Sequence, residues 1–164
     1  MKILSLALIF SLLFGTTVAL AASTEATYYG GTVAEFKDSK KEIDGHLETS
    51  DETSLEFVYK NKQVVKIPYA NFIDMEYGQK SGRRVGAAVA GFIFLGPVGL
   101  LFLMSKKQNH FLTLGYRDEN GKEQVAVFKL NKEMVRTTLP ILEARSGKKV
   151  EYQSKGAEKK ATGQ

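Results

Sequence analysis

The chain has no cysteine among its 164 residues. That excludes a disulfide framework, so the fold must rest on packing. It also excludes a lipid anchor attached to a cysteine at the start of a mature chain. Histidine is nearly as scarce. His46 and His110 are the only two, they fall in separate strand segments, and a zinc site needs three or four ligands at close spacing. Each reads as an ordinary strand residue. There is no Gly-x-Ser-x-Gly elbow, no Ser-x-x-Lys opening a helix and no Walker-type loop. Gly30-Gly31 precedes a strand, where a bulge or close backbone approach explains it better than a phosphate cradle. Asp51-Glu52 and Asp118-Glu119 read as solvated acids in turns. Nothing here points to an enzyme, a metal or a cofactor.

Two apolar stretches stand out against this background. The first opens the chain: Lys2, the apolar run Ile3–Phe14, then Ala19-Leu20-Ala21. That is the order of a secretory signal peptide, cleaved after Ala21 or Ala22, so residues 1–22 are expected outside the fold and the protein outside the cytoplasm. An uncleaved anchor is the alternative. The second stretch, Val85–Met104, contains no charge and is long enough to be a transmembrane candidate. The formal charge of +5 is mildly basic, which suits an anionic membrane surface or a cell-wall polymer. Nucleic acid is not an expected partner, because export removes the chain from that compartment.

Between and after these stretches the pattern is that of one domain, residues 23–152. Tyr28–Phe36 and His46–Thr49 read as strands. Leu55, Phe57 and Tyr59 alternate with polar residues, as do Val65 and Ile67 with Tyr69, and then Ile73, Met75 and Tyr77. Asn61 marks a tight turn, and Pro68 belongs at a strand end or edge. Phe111–Tyr116 and Glu123–Leu130 flank Asp118-Glu119-Asn120-Gly121. Asn-Gly favours a two-residue type I′ hairpin, pairing Tyr116 with Val125 and Leu114 with Val127. Then the period changes: Val135, Leu139 and Leu142 form a helical stripe, with Asn131 as N-cap, Gly147 as stop and Pro140 as a kink. Residues 153–164 are small and polar, the composition of a disordered tail.

About seven short strands followed by one amphipathic helix resembles the pleckstrin-homology-like β-barrel. The likeness runs over Tyr28–Gly147 and rests on the order of elements. The stretches Ile67-Pro68-Tyr69-Ala70, Glu76-Tyr77-Gly78 and Leu142–Lys149 resemble uncharacterised exported bacterial proteins of this architecture. No activity comes with that resemblance. It implies a C-terminal helix plugging two crossed sheets. It also implies that the loop carrying Lys37, Lys40 and Lys41, which joins the first two strands, is a possible seat for an anionic head group. A solvated basic turn is the plainer reading of those lysines.

The apolar insertion departs from that family pattern. A single span would put the strands before Lys80 and those after Phe111 on opposite sides of a membrane. Gly96-Pro97-Val98-Gly99 breaks a helix near the middle. Both ends carry basic residues, Lys80, Arg83 and Arg84 before and Lys106 and Lys107 after, so charge gives no direction. A helical hairpin over about 82–105 fits all three observations. Gly96 and Pro97 would form its turn, and Phe92, Phe94 and Phe102 its lipid-facing bulk. Gly82, Gly86 and Ala90, with Gly91, would form the small-residue face on which the arms pack. The five basic residues would anchor it at lipid phosphates. A segment folded back as core, or a true span, stays open. The expected function is an exported, membrane-associated binding module that meets lipid or an envelope protein. The alternative is an oligomeric structural envelope protein whose glycine-rich arms pack between subunits.

Overall fold

In the computed structural model, residues 23–36, 39, 41–60, 63–79 and 109–163 are described. Among the described residues, eight strands and two helices follow one another along the chain. They are β1 Ser23–Gly31, β2 Ile43–Glu48, β3 Ser54–Tyr59, β4 Gln63–Pro68, β5 Phe72–Gly78, β6 His110–Arg117, β7 Glu123–Leu130, α1 Lys132–Ser146, β8 Val150–Tyr152 and α2 Lys155–Thr162. Short 3₁₀ turns occupy Ala34–Phe36 and Tyr69–Asn71. The signal segment, the apolar hairpin and its flanking residues fall outside the described residues, as do Lys37, Lys40 and Asn61.

The strands form one sheet in the order β4-β3-β2-β1-β7-β6-β5-β8. This corrects the expectation of a closed seven-stranded barrel: the sheet is open and has eight strands. The physical reason lies at its edges. Tyr69–Asn71 carries the chain in three residues from β4, at one edge, to β5, near the other. The sheet must therefore coil strongly. It does not close, because β8 pairs parallel with β5 and takes the edge that closure would need. Pro68, at the end of β4, has no amide hydrogen to offer a further strand.

One core fills the interior of this coil. Leu47, Phe57, Ile67, Met75, Leu114 and Phe128 come from six strands, and α1 adds Val135, Leu139 and Leu142 to them. Each such side chain contributes roughly 1.5–3 kcal/mol through burial. The helix begins where Asn131 accepts a hydrogen bond from the Glu133 amide and ends at Gly147, which is left-handed at φ 68°. Pro140 sits on its exposed side, and the helix runs through it to Ser146. Near the C-terminal end, the Arg145 guanidinium donates to the carbonyls of Thr49 and Asp51 and to the Tyr69 hydroxyl. That contact locks the helix onto the β2–β3 loop and the β4–β5 link.

Two local readings shift by one residue. The β6–β7 hairpin lies where the sequence places it, but Tyr116 pairs with Gln124 and Leu114 with Ala126. Asp118 causes the shift. Its carboxylate accepts from the amides of Asn120 and Lys122 and from the Gln124 side chain. Within this turn, only Gly121 takes positive φ, at 75°. The turn is thus a three-residue loop with a glycine bulge rather than a two-residue type I′ turn. In β5 the register slips between Phe72 and Asp74. Phe72, Met75 and Tyr77 consequently face the main core, while Ile73 joins Phe111, Val125, Val127 and Tyr29 in a smaller cluster on the opposite face. Beside the Gly30-Gly31 pair, β1 bulges against β7 between Tyr28 and Gly30, and Gly31, at φ 133°, approaches the Val125 backbone closely.

The expected disordered tail is ordered through α2. Ser154 caps the helix by accepting from the Ala157 amide, and Ala157 with Ala161 packs against the core. Two alanines four residues apart give a helix in a polar segment a small but sufficient apolar face.

Candidate binding cleft

Strand pairing fixes which side chains share a surface. Glu25 lies opposite His46, and Thr27 opposite both Asp44 and Lys129. His46 also lies opposite Val58 of β3. Directly opposed residues in a ladder project to the same face. Glu25, Thr27, Asp44, His46, Val58 and Lys129 therefore form one surface spanning β3, β2, β1 and β7. A cleft of about 900 Å³ opens over it. Its rims are Lys60 at the end of β3, Asn109–His110 where β6 begins, and Asn131–Lys132 at the start of α1.

The floor needs a glycine. A Cβ on Gly45 would stand 2.4 Å from the Val58 carbonyl oxygen and 2.8 Å from the Phe57 ring, so only glycine lets β2 and β3 meet there. Several polar groups are already engaged. Thr27 donates to Asp44 Oδ1 at 2.8 Å. Lys129 pairs with Glu42 at 3.0 Å and lies 5.8 Å from the centroid of the Tyr29 ring. Among the described residues, Glu25, Lys60 and Lys132 form no ion pair.

His110 lies behind the cleft: it pairs with Leu130, and its side chain is on the core face of the sheet. Its Nδ1 is hydrogen-bonded to the hydroxyl of Tyr77, which is fully buried, and the two rings stack with centroids 6.0 Å apart. Burial pushes the Tyr77 hydroxyl up to about 12. Burial also holds the His110 imidazole below its ordinary range, with Lys160 and Lys132 acting in the same direction. The hydrogen bond therefore joins a protonated tyrosine to a neutral histidine, two groups that are both uncharged near neutral pH.

Sequence reasoning set both histidines aside; in the fold His46 lies on the cleft surface and His110 behind it, on the core face. It also missed Glu25, Asp44 and Lys132. No local signal could have found them, because the cleft depends on β1 pairing with β7 across about a hundred residues. The acid pairs do stay in turns. Asp51 is held at about 2 by hydrogen bonds from the Thr53 side chain and amide and from Ser54, a turn-forming role. Of the proposed anion loop, Lys41 is described, and it is exposed just before β2.

The chemistry on offer is binding. The cleft carries both signs of charge over a partly apolar floor. Among the described residues, no three His, Cys, Asp or Glu side chains gather as metal ligands. Among them, too, no helix is long and apolar enough to cross a membrane. In comparisons with known proteins, no family model matches the chain and no curated protein matches it.

Proposed function

We propose that this protein is an exported binding module held at a membrane surface by the apolar excursion between β5 and β6, with the cleft as its ligand seat. One observation carries the reading: Gly78, at the end of β5, pairs with Phe111 at the start of β6. The excursion therefore leaves and returns at the same place on one sheet. A single crossing would drag paired strands to opposite sides of a bilayer, whereas a hairpin leaves the ladder intact. Lys80, Arg83, Arg84, Lys106 and Lys107 then meet one membrane face, each contributing on the order of 1 kcal/mol near anionic lipid. No covalent step is part of this function.

Membrane fractionation with an alkaline carbonate wash tests it. The intact chain is expected to stay in the washed membranes, and a chain lacking residues 85–104 to become soluble. Changing the five basic residues to Gln is expected to weaken binding to anionic vesicles. If the intact chain also washes free, the membrane reading fails and the apolar segment is core or a contact between subunits, which sedimentation then separates.

A further inference from the structure

We propose that the outer face of β5, β6 and β7 is the docking surface for the apolar segment 85–104 of the same chain. This goes beyond the membrane reading and does not depend on it. A strand with one wet face alternates buried and exposed residues. β4 does so: Val65 and Ile67 are buried, while Val64, Lys66 and Pro68 are exposed. β6 does not alternate, because His110–Tyr116 are all buried. The same holds for Gln124–Phe128 in β7 and for Met75–Gly78 in β5. These three strands are covered on both faces.

The helices account for the inner face only. Val135, Leu139 and Leu142 of α1 and Ala157 and Ala161 of α2 all belong to the main core. The outer face carries Phe111, Val125 and Val127, at most 3 % exposed, flanked by the half-buried Tyr29 and Ile73. Thr113 and Glu76, opposed in the ladder, are buried on the same face. Among the described residues, neither helix contributes to this outer cluster. Ladder neighbours shield one another in part, but a strand valine at 0 % exposure, as Val127 is, has a second layer above it.

Attachment, length and charge assign that layer to residues 85–104. Gly78 pairs with Phe111, so the excursion leaves from β5 and returns to β6 within the covered patch. Residues 1–22, by contrast, join the fold at Ser23, which pairs with β2 on the side of the open cleft. A helical arm of ten residues is about 15 Å long, and a strand of eight, such as β6, about 27 Å, so an arm lies within the length of the strand. Gly86, Ala87, Ala90 and Gly91 let such an arm approach the sheet closely. Lys80, Arg83 and Arg84 begin just beyond β5 and complement the buried carboxylate of Glu76. Twenty uncharged residues have more surface than five side chains can cover. The far side of the docked segment is therefore left for lipid, with the outer face of the sheet turned toward the bilayer.

Photo-cross-linking of the full chain tests this. The photoreactive p-benzoylphenylalanine is placed at Tyr29 or Phe111, within the cluster, and at the exposed Val64 as control. Peptide mapping after irradiation should join the first two positions to residues 85–104 of the same chain, and Val64 to none of them. A covalent dimer, a lipid adduct or a link to residues 1–22 overturns the proposal in favour of that occupant, and no adduct at either position overturns it outright. A second measurement adds no bulk. The chain has no cysteine of its own, so single thiols report cleanly. Val127→Cys should react with a maleimide roughly a hundredfold more slowly than Glu119→Cys in the exposed turn. With a Gly-Ser linker of equal length in place of residues 85–104, Val127→Cys should become fast while Leu112→Cys, on the core face, stays slow. Protection of Val127→Cys that survives the exchange overturns the proposal. If Leu112→Cys also becomes fast, the linker chain has unfolded and the cross-links of the intact chain decide. Carbonate-resistant membrane retention is scored separately: cross-links without retention leave the docking and remove the anchor, and retention without cross-links does the reverse.

Discussion

Replacing Arg145 by Met removes the clamp between α1 and the two loops beneath it. In the native protein its guanidinium donates to the Thr49 carbonyl, to the Asp51 carbonyl at 2.9 Å and to the Tyr69 hydroxyl at 3.3 Å. It also lies 5.6 Å from the centre of the Tyr69 ring. Hydrogen bonds from a charged donor contribute about 1.5–3 kcal/mol each. Arg145 is only half-buried, so water replaces part of that loss. The net cost should be about 2–3 kcal/mol, including roughly 0.5 kcal/mol for the ring contact. For a chain of this size, about 0.3 kcal/mol corresponds to one degree, so Tm should fall by roughly 8 °C. Thermal melts followed by circular dichroism measure it. Arg145→Lys should recover less than half, because an ammonium cannot bridge two carbonyls and lie on the ring together. Burial pushes the Tyr69 hydroxyl up and Arg145 pulls it part of the way back, so Tyr69 should titrate higher still in the Met variant. A fall of less than about 2 °C would mean that the clamp is a surface contact and that this account of the helix is mistaken.

Glycine positions separate steric from conformational cost. Gly31→Ala drives a Cβ to 2.1 Å from the Val125 carbonyl oxygen at φ 133°, and should cost at least about 3 kcal/mol or abolish cooperative melting. Gly121→Ala meets nothing within 4 Å, so only its φ of 75° counts, about 1 kcal/mol by the same melts. Tyr77→Phe leaves buried His110 Nδ1 without its hydrogen-bond partner, for about 1–2 kcal/mol by urea titration, and should move the His110 ring resonances. Asp51 titrates at about 2 in the fold, below its ordinary value near 4. Its contribution is therefore complete above pH 4 and lost as pH falls toward 2; an Asp51→Asn variant should show a flatter stability profile across that window.

The parts of this fold that were legible are those written in consecutive residues. The α1 stripe, its Asn131 cap and its Gly147 stop depend on neighbours within a few turns. So does the existence of the β6–β7 hairpin. The hairpin's register was not legible, because Asn120-Gly121 advertises a two-residue turn while the Asp118 carboxylate gathers two amides into a longer one. The slip at Phe72 has no composition cue, and it sends Ile73 to the other face. Closure was misjudged for a nonlocal reason: the short β8 competes for the free edge of β5, and its three residues carry little periodicity. The α2 helix had a signal, Ser154 followed by Ala157 and Ala161, that polar composition concealed. The cleft was the least legible feature, since its residues come from β1, β2, β3, β7, the start of β6 and the turn into α1, which are far apart in sequence.

The C-terminal elements do more than lengthen the chain, because they hold both roots of the excursion. At the departing root, β8 pairs with Met75, Glu76 and Tyr77, and the Gln153 amide donates to the Tyr77 carbonyl at 3.1 Å. Gly78 beside it leaves the room that the Gln153 side chain occupies. At the returning root, His110 is bonded to that same Tyr77, and Lys160 of α2 is near enough to act on its imidazole. A chain ending at Gln153 loses α2 and its two buried alanines, a cost of about 1.5 kcal/mol at roughly 0.8 kcal/mol per methyl. That is too little to unfold the sheet but enough to loosen one corner of it. Amide exchange should accelerate at Tyr77, Gly78 and His110 while Phe57 and Leu47, at the far side of the sheet, stay protected. Uniform acceleration would mean that α2 supports the whole core. No change at Tyr77 or His110 would mean that the roots are held by the β5–β6 ladder alone.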